Sequence, residues 1–258
     1  MKFYFIDSGF QTGAFNMEFD LMLSDRCGED EFYFRLYRWK PYCISLGANQ
    51  DYDVIDYTMT EKDDIDVVKR PTGGRAILHS EEVTYSVSLI LGKDSTPHTV
   101  YREINNALQK GLEIYDPLLA AAKLESRQPD FGAIYKSGGG IACFSTAAKN
   151  ELKVSNRKIV GSAQRKSGRK ILQHGSVLCG SYHKKITDYL LLRNEEKSRI
   201  NNELDTSTTD VGEVTGGIDY DRLKSALLDG MEDFYQNEFI NTPQNEIIPA
   251  KIQEQIFI

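Results

Sequence analysis

The segment Lys69-Arg70-Pro71-Thr72-Gly73-Gly74-Arg75-Ala76-Ile77-Leu78-His79 holds the densest set of residues in the chain that could act on a ligand. Two adjacent glycines let backbone approach a bound group with no Cβ in the way. Arg70 and Arg75 could hold an anionic group, and N–H groups of the glycine turn could add donors. The GK[ST] ending of a phosphate-binding P-loop is missing. As a physical pattern alone, the segment also reads as an ordinary hairpin turn. The other chemistry-bearing residues are scattered. Four cysteines (Cys27, Cys43, Cys143, Cys179) form no CxxC pair, which excludes a zinc ribbon, a thioredoxin-like site and a disulfide framework. A cysteine taken blindly is a small buried apolar residue, and that is the reading for Cys27, Cys43 and Cys179. No His/Cys/Asp group has metal-ligand spacing, so no metal is expected.

Composition bounds the rest. The chain has 258 residues, 40% hydrophobic and 27% charged, enough to bury a core without staples. Its net charge of −7 argues against a protein that coats nucleic acid. The charge is uneven, however. Residues 149–170 carry eight basic side chains against Glu151 alone, a net +7 that leaves −14 for the remainder. This stripe reads either as hairpins with solvated lysines or as a landing surface for an acidic partner. No aromatic residue interleaves it, so nucleic acid is not expected. Asp7 and Gly9 interrupt the N-terminus before an apolar signal segment develops. The longest apolar runs, Val87–Leu91 and Leu118–Ala122, are far short of a membrane span. The expectation is a cytoplasmic protein with reduced thiols.

The elements that must position these residues alternate. Strands are expected at Phe3–Ile6, Glu31–Tyr37, Cys43–Leu46, Val67–Arg70 and Val83–Leu89. Three more follow at Leu152–Val154, Lys158–Gln164 and Ile171–Val177, with turns at Asn156-Arg157 and Ser167-Gly168. Helices are expected after Gly13, over Thr99–Leu112, from Asp116 to Leu124, and over Asp219–Tyr235. The polar run 201–217 reads as a partly ordered connection. The class is α+β, mixed and antiparallel sheets flanked by helices, over a single domain spanning 1–258 with 198–258 as C-terminal connection, helix and tail.

KRPTGGRAILHSEEVTYSV, followed by NRKIVGSAQRKSGRKILQHGSV, resembles the biotin/lipoate protein ligase and octanoyltransferase superfamily. The likeness extends upstream through FIDSGFQTGAFNMEFDLML and RLYRWKPYCISLGANQ, in ordered blocks from Ile6 to about Val177. It implies the biotinyl/lipoyl protein ligase catalytic-domain fold, which is class II aminoacyl-tRNA-synthetase-like. By the same resemblance Arg70, Thr72, Gly73, Gly74, Arg75 and His79 belong to an acyl pocket, joined by Gly161, Ser162, Ala163 and His174. Lys69 stands where the family's first loop arginine would be.

Within the superfamily, ATP-dependent lipoate ligases tend to read RRxSGGGAVxHDxGN at this loop. The text here looks instead like the octanoyltransferases of the lipoate-ligase-like branch, the LipM type, which carry a Cys-Phe pair ahead of a K-I-x-GSAQ block. This chain has Cys143-Phe144, then Lys158-Ile159-Val160-Gly161-Ser162-Ala163-Gln164. The resemblance implies Cys143 as nucleophile and Lys158 as the second catalytic residue. A thiolate exchanging one thioester for another needs no ATP, and a nearby ammonium lowers a thiol's ordinary pKa of about 8.5. Lys158 would serve either as that charge or as the base for an incoming amine. Neither ATP nor a metal is expected. The implied partners are acyl carrier protein and the lipoyl domains of H protein or 2-oxoacid dehydrogenase E2. Three alternatives predict different requirements. An octanoyl amidotransferase would take its acyl group from another lipoyl domain. An ATP-dependent ligase would survive loss of Cys143, and a non-catalytic lipoyl-domain binder would form no acyl-enzyme. One segment departs from the relatives: Ser145-Thr146-Ala147-Ala148-Lys149-Asn150 replaces an aromatic-bearing stretch, which bears on the acyl donor or acceptor accepted.

Overall fold

The central strands are buried along nearly their whole length, and the computed structural model, which describes residues 1–125 and 151–247, joins the strands into two sheets. The larger runs in the order β11 (Ile240–Asn241), β1 (Lys2–Gln11), β2 (Glu31–Trp39), β6 (Glu82–Ile90), β10 (Lys170–Leu178), β9 (Arg157–Ser167), β8 (Leu152–Val154), β7 (Lys123–Leu124). Its β11–β1–β2 edge is parallel and the remaining pairs are antiparallel. The smaller sheet places β3 (Tyr42–Leu46) between parallel β4 (Ile65–Lys69) and antiparallel β5 (Ile77–His79). This is the expected α+β arrangement of mixed sheets with flanking helices.

Helix α1 (Gly13–Arg26) packs against strands of both sheets. On the other side of the large sheet, α3 (Pro97–Tyr115) begins where Thr96 and Thr99 cap each other reciprocally and Pro97 opens the first turn. Its Val100, Ile104, Leu108 and Leu112 are all buried in the main core. α6 (Tyr220–Tyr235) packs on α3 through Gly111 and Gly230. A Cβ on Gly230 would lie 2.3 Å from the Gly111 nitrogen, so only glycine permits this approach. A short helix α2 (Tyr57–Lys62) precedes β4.

Three expectations are corrected. Asp116 does cap a helical start, accepting from the Leu118 N–H, but the turn is a 3₁₀ segment, Pro117–Ala121. The chain then enters β7, because Leu124 pairs with Leu152 at the sheet edge. The turns of the second hairpin pair sit one residue away from those expected. Ser155 and Asn156 occupy the first, both left-handed as a tight two-residue connection requires, and Gly168 opens the second. Most consequential, the polar run 201–217 is structured. It lies in α4 (Asn194–Ser207) and α5 (Val211–Thr215), anchored by buried Ile200, Leu204 and Val211. Between those helices Thr208 bridges to Lys158, and the Thr209 N–H donates to the Lys158 carbonyl at 2.9 Å.

The basic stripe is largely neutralised by folding. Lys153 meets Glu125 at 2.6 Å, Arg157 meets Glu213 at 2.6 Å, Arg169 meets Glu29 at 2.9 Å, and Lys170 approaches Asp25 at 4.0 Å. Only Arg165 and Lys166, exposed near the end of β9, form no ion pair with a described residue. Lys149 lies outside the described residues. Neither reading of the stripe anticipated carboxylates brought in from other elements.

Candidate active site

A cavity opens where the small sheet meets the large one beneath α1, with about 430 Å³ of empty space including its mouth. Met17, Tyr37, Trp39 and Ile77 supply apolar wall. Of the residues expected at the site, Lys158, Gly161, Ser162, Ala163, His174, Arg70 and His79 line it. Thr72, Gly73, Gly74 and Arg75 do not belong to its lining. Cys143 lies outside the described residues.

The glycine loop is held from within. Arg70 leaves β4 buried, and its guanidinium donates to the carbonyls of Ser45 (2.8 Å), Gly73 (3.0 Å) and Arg75 (2.7 Å). It thus braces the loop, where an anion-holding arginine would aim outward. Gly74 sits at φ 99°, and its carbonyl presses on Gly47, where a Cβ would come within 2.0 Å. The backbone N–H of Ala48 donates to the Thr72 carbonyl at 2.9 Å. The loop is therefore fastened along the end of β3.

Two carboxylate–imidazole–hydroxyl chains flank the cavity. In the first, Glu82 meets His79 Nδ1 at 2.8 Å, and His79 Nε2 lies 2.8 Å from Ser45 Oγ. Trp39 stacks on the His79 ring at 4.1 Å and donates to Thr84, which in turn donates to Glu82. Burial pushes the Glu82 carboxyl up, but His79, Thr84 and Ser176 together outweigh it and leave the pKa below the usual value. In the second, Asp20 meets His174 Nδ1 at 3.2 Å, and His174 Nε2 lies 2.7 Å from Thr72 Oγ1. An ionised carboxylate needs a donor, so each imidazole presents an Nδ1–H to its acid. Both histidines line the cavity, where the pocket was expected.

Asp20 is the better buried of the two acids. Besides His174 it receives Arg35 Nη1 at 2.8 Å, Ser86 Oγ at 2.7 Å and Tyr37 OH at 3.0 Å. Burial raises its pKa, yet the hydrogen bond from His174 and the charge of Arg35 outweigh it and hold the carboxyl below its usual 3.8. Burial also lowers His174, against the opposing pull of Asp20, so the ring is neutral. Asp20→Asn leaves the Arg35 guanidinium buried without its counter-charge and should cost about 3–5 kcal/mol in urea denaturation. A loss under 1 kcal/mol would contradict the network. The pH sign follows from both groups. His174, depressed on folding, withdraws stability as pH falls below the unfolded 6.5, and Asp20 withdraws more as pH falls below 3.8. Acid unfolding should therefore deepen in two stages, with the lower stage blunted in Asp20→Asn.

The GSAQ block forms the cavity's other side. Gly161, Ser162 and Ala163 on β9 pair with Ser176, Gly175 and His174 on β10. A Cβ on Gly175 would fall 2.2 Å from the Gly161 carbonyl oxygen, which explains a glycine mid-strand. Ser162 turns its hydroxyl toward α3. It donates to Asn105 at 3.0 Å and accepts from Tyr85 at 2.6 Å, so only its backbone serves the cavity. Lys158 is 2% exposed, and its ammonium meets the Glu151 carboxylate at 2.9 Å. A buried, ion-paired lysine beside a cavity is unlike the solvated lysine its composition would suggest.

Sequence reasoning passed over Glu151, Asp20, Glu82, Ser45 and Trp39. Glu151 had a signal, as the one acid within the basic stripe. Asn16 and Asp20 had one too, as polar residues four apart on the apolar side of α1. The other three cysteines are buried, and burial raises each thiol: Cys27 to about 12, with Cys43 and Cys179 also well above the usual value. Thiols so raised are poor nucleophiles. Among the described residues, no group of three His, Cys, Asp or Glu side chains could hold a metal ion, and no helix is long and apolar enough to cross a membrane.

The chain is similar to known proteins over most of its length. It is 33% identical over 238 residues to the octanoyltransferase LipM of Geobacillus kaustophilus, covering 88% of this chain and 84% of that one. The octanoyltransferase LipM of Bacillus subtilis is 31% identical over the same shares. Among solved structures, a lipoate-protein ligase A bound with ATP superposes with a TM-score of 0.76 at 17% identity, over 98% of this chain and 92% of that one. A bipartite lipoate protein ligase of Thermoplasma acidophilum, solved in work that included its E2 lipoyl domain, gives 0.73 at 18% identity, over 98% and 90%. At such identities these two attest the fold. The model of the lipoyl protein ligase A/B catalytic domain matches residues 12–232, from the start of α1 almost to the end of α6. The chain belongs to the lipoyl protein ligase A/B catalytic domain family.

Proposed function

We propose that this chain is an octanoyltransferase of protein lipoylation, an acyltransferase acting in the cytoplasm through an enzyme thioester on Cys143. The observation that carries the reading is the similarity, across 88% of the chain, to relatives named octanoyltransferase LipM. The apolar-walled cavity with the Lys158 ammonium in its lining suits the carbonyl end of an apolar acyl group. In the first step the Cys143 thiolate attacks the octanoyl thioester of acyl carrier protein. A carbon–sulfur bond forms as another breaks, and the carrier thiolate takes up the proton Cys143 gave up. In the second step the neutral amine of a target lysine, on the lipoyl domain of H protein or a 2-oxoacid dehydrogenase E2, attacks the enzyme thioester. The C–N bond forms, the C–S bond breaks, and the proton shed by nitrogen reaches sulfur through Lys158, restoring the thiol. Thioester exchange is nearly neutral in free energy and amide formation is downhill, so neither ATP nor a metal enters.

The test is intact-mass measurement after mixing the protein with octanoyl-acyl carrier protein in the absence of ATP. The expected result is one octanoyl adduct, mapped to Cys143. No adduct, with transfer appearing only on addition of ATP and free octanoate, would instead make the chain a ligase. Arg165 and Lys166 are the described part of the basic stripe still available to an acidic carrier. Reversing both charges should raise KM for the carrier several-fold and leave discharge of a preloaded acyl-enzyme unchanged. An unchanged KM would remove them from docking.

A further inference from the structure

We infer that Glu151 is the positioning residue for Lys158, fixing its ammonium against the backbone of the GSAQ strand for the amine-transfer step. The inference rests on the acyltransfer reading above and adds to it a residue which that reading does not assign.

Both ends of the pair are held. Glu151 is 3% exposed and sits just before β8, where its carbonyl accepts from the Glu125 N–H at 2.8 Å. Its two carboxylate oxygens have different partners. Oε2 meets Lys158 Nζ at 2.9 Å, and Oε1 accepts from the Ser162 N–H at 3.1 Å. Lys158 is fastened from its own backbone by Thr208 and Thr209, so the ammonium has little freedom at either end. The carboxylate thus ties the lysine head to the strand that lines the cavity, across the β8–β9 hairpin.

The bridge dictates the side chain. In this geometry one oxygen meets a backbone N–H and the other an ammonium, so both must accept. Glutamine would turn an NH₂ toward one of two donors, whichever way its amide lies. Aspartate, one methylene shorter, cannot span both partners from the same backbone. Glu151 itself needs no contact with substrate. Its effect passes through Lys158, whose place relative to the thioester carbonyl sets how readily it relays a proton.

The experiment is a double-substitution cycle on discharge of a preloaded acyl-enzyme to an unmodified lipoyl domain, under single-turnover conditions. E151Q should slow discharge about 10–100-fold, within the range of general acid–base contributions. Adduct formation from octanoyl-carrier should be much less affected. Lys158→Met keeps volume without the charge, and in that background E151Q should change the discharge rate by less than twofold, because the pair acts as a unit. E151D, which keeps the charge, should fall between wild type and E151Q, and it replaces E151Q in the cycle if the glutamine variant fails to fold. Equal slowing by E151Q with and without Lys158 would assign Glu151 a merely structural role and overturn the inference. A wild-type protein that forms no adduct would overturn the thioester reading itself, and the positioning role with it. An adduct that forms and discharges normally in E151Q would overturn the positioning role alone.

Discussion

Replacing Cys143 with alanine should eliminate both the octanoyl adduct and net transfer, lowering turnover by roughly 10⁴-fold or more, as loss of a covalent nucleophile does elsewhere. The size of the effect follows from the chemistry. Without the thiol, an acyl group on a carrier must meet a lysine amine directly, and the two proteins would have to present both reacting atoms to the cavity at once. The thioester divides that encounter into two, each needing one partner. A second reason makes cysteine stand apart here. The thiols of Cys27, Cys43 and Cys179 are buried and raised, so none can take over the role. The measurement is transfer of octanoyl to a lipoyl domain with carrier donor and no ATP. If Cys143→Ala keeps more than a tenth of wild-type activity, the covalent mechanism is wrong.

Lys158→Ala has the next largest expected effect, a fall of about 10²–10⁴-fold in transfer. It removes the only described ammonium that lines the cavity. It also breaks the buried ion pair with Glu151, and breaking a buried pair in this way costs about 3 kcal/mol or more. Two measurements therefore belong together, the rate and the denaturation midpoint. Lys158→Arg separates them. It restores a positive charge for Glu151, so most of the stability should return. The wider guanidinium cannot deprotonate, so activity should not return. An active arginine variant would show that charge alone suffices, and would exclude proton relay by this side chain.

Glu151 and the GSAQ backbone give these two predictions a shared structural context. The lysine head, the carboxylate and the Ser162 N–H form one unit on the β8–β9 hairpin, while the two imidazole chains secure the glycine loop and the sheet junction across the cavity. Rigid support of this kind is what a transfer reaction needs when its partners are large and dock transiently.

Much of this molecule is written locally. Short apolar runs bounded by turn residues located the principal strands of both sheets, and the four-residue spacing of Val100, Ile104, Leu108 and Leu112 located α3, because such patterns lie within one element's own sequence. The glycine pair at 73–74 and the GSAQ block were equally visible, since backbone freedom is a property of the residue itself. Tertiary structure decided the rest. The run 201–217 looks like a linker by composition, yet it becomes helix because Ile200, Leu204 and Val211 find a surface made by other elements. The +7 stripe looks like one field. Its charges are matched by Glu29, Glu125 and Glu213, and the distance between partners along the chain reaches 140 residues, so no local pattern could foretell the pairing. Arg70 could be placed in the glycine loop from its type and position, but not turned inward. Lys158 follows the same rule: sequence located it, while burial and one carboxylate determined what kind of lysine it is. Burial and charge pairing depend on what the fold places opposite a side chain, and that information is not carried by the residue or its neighbours.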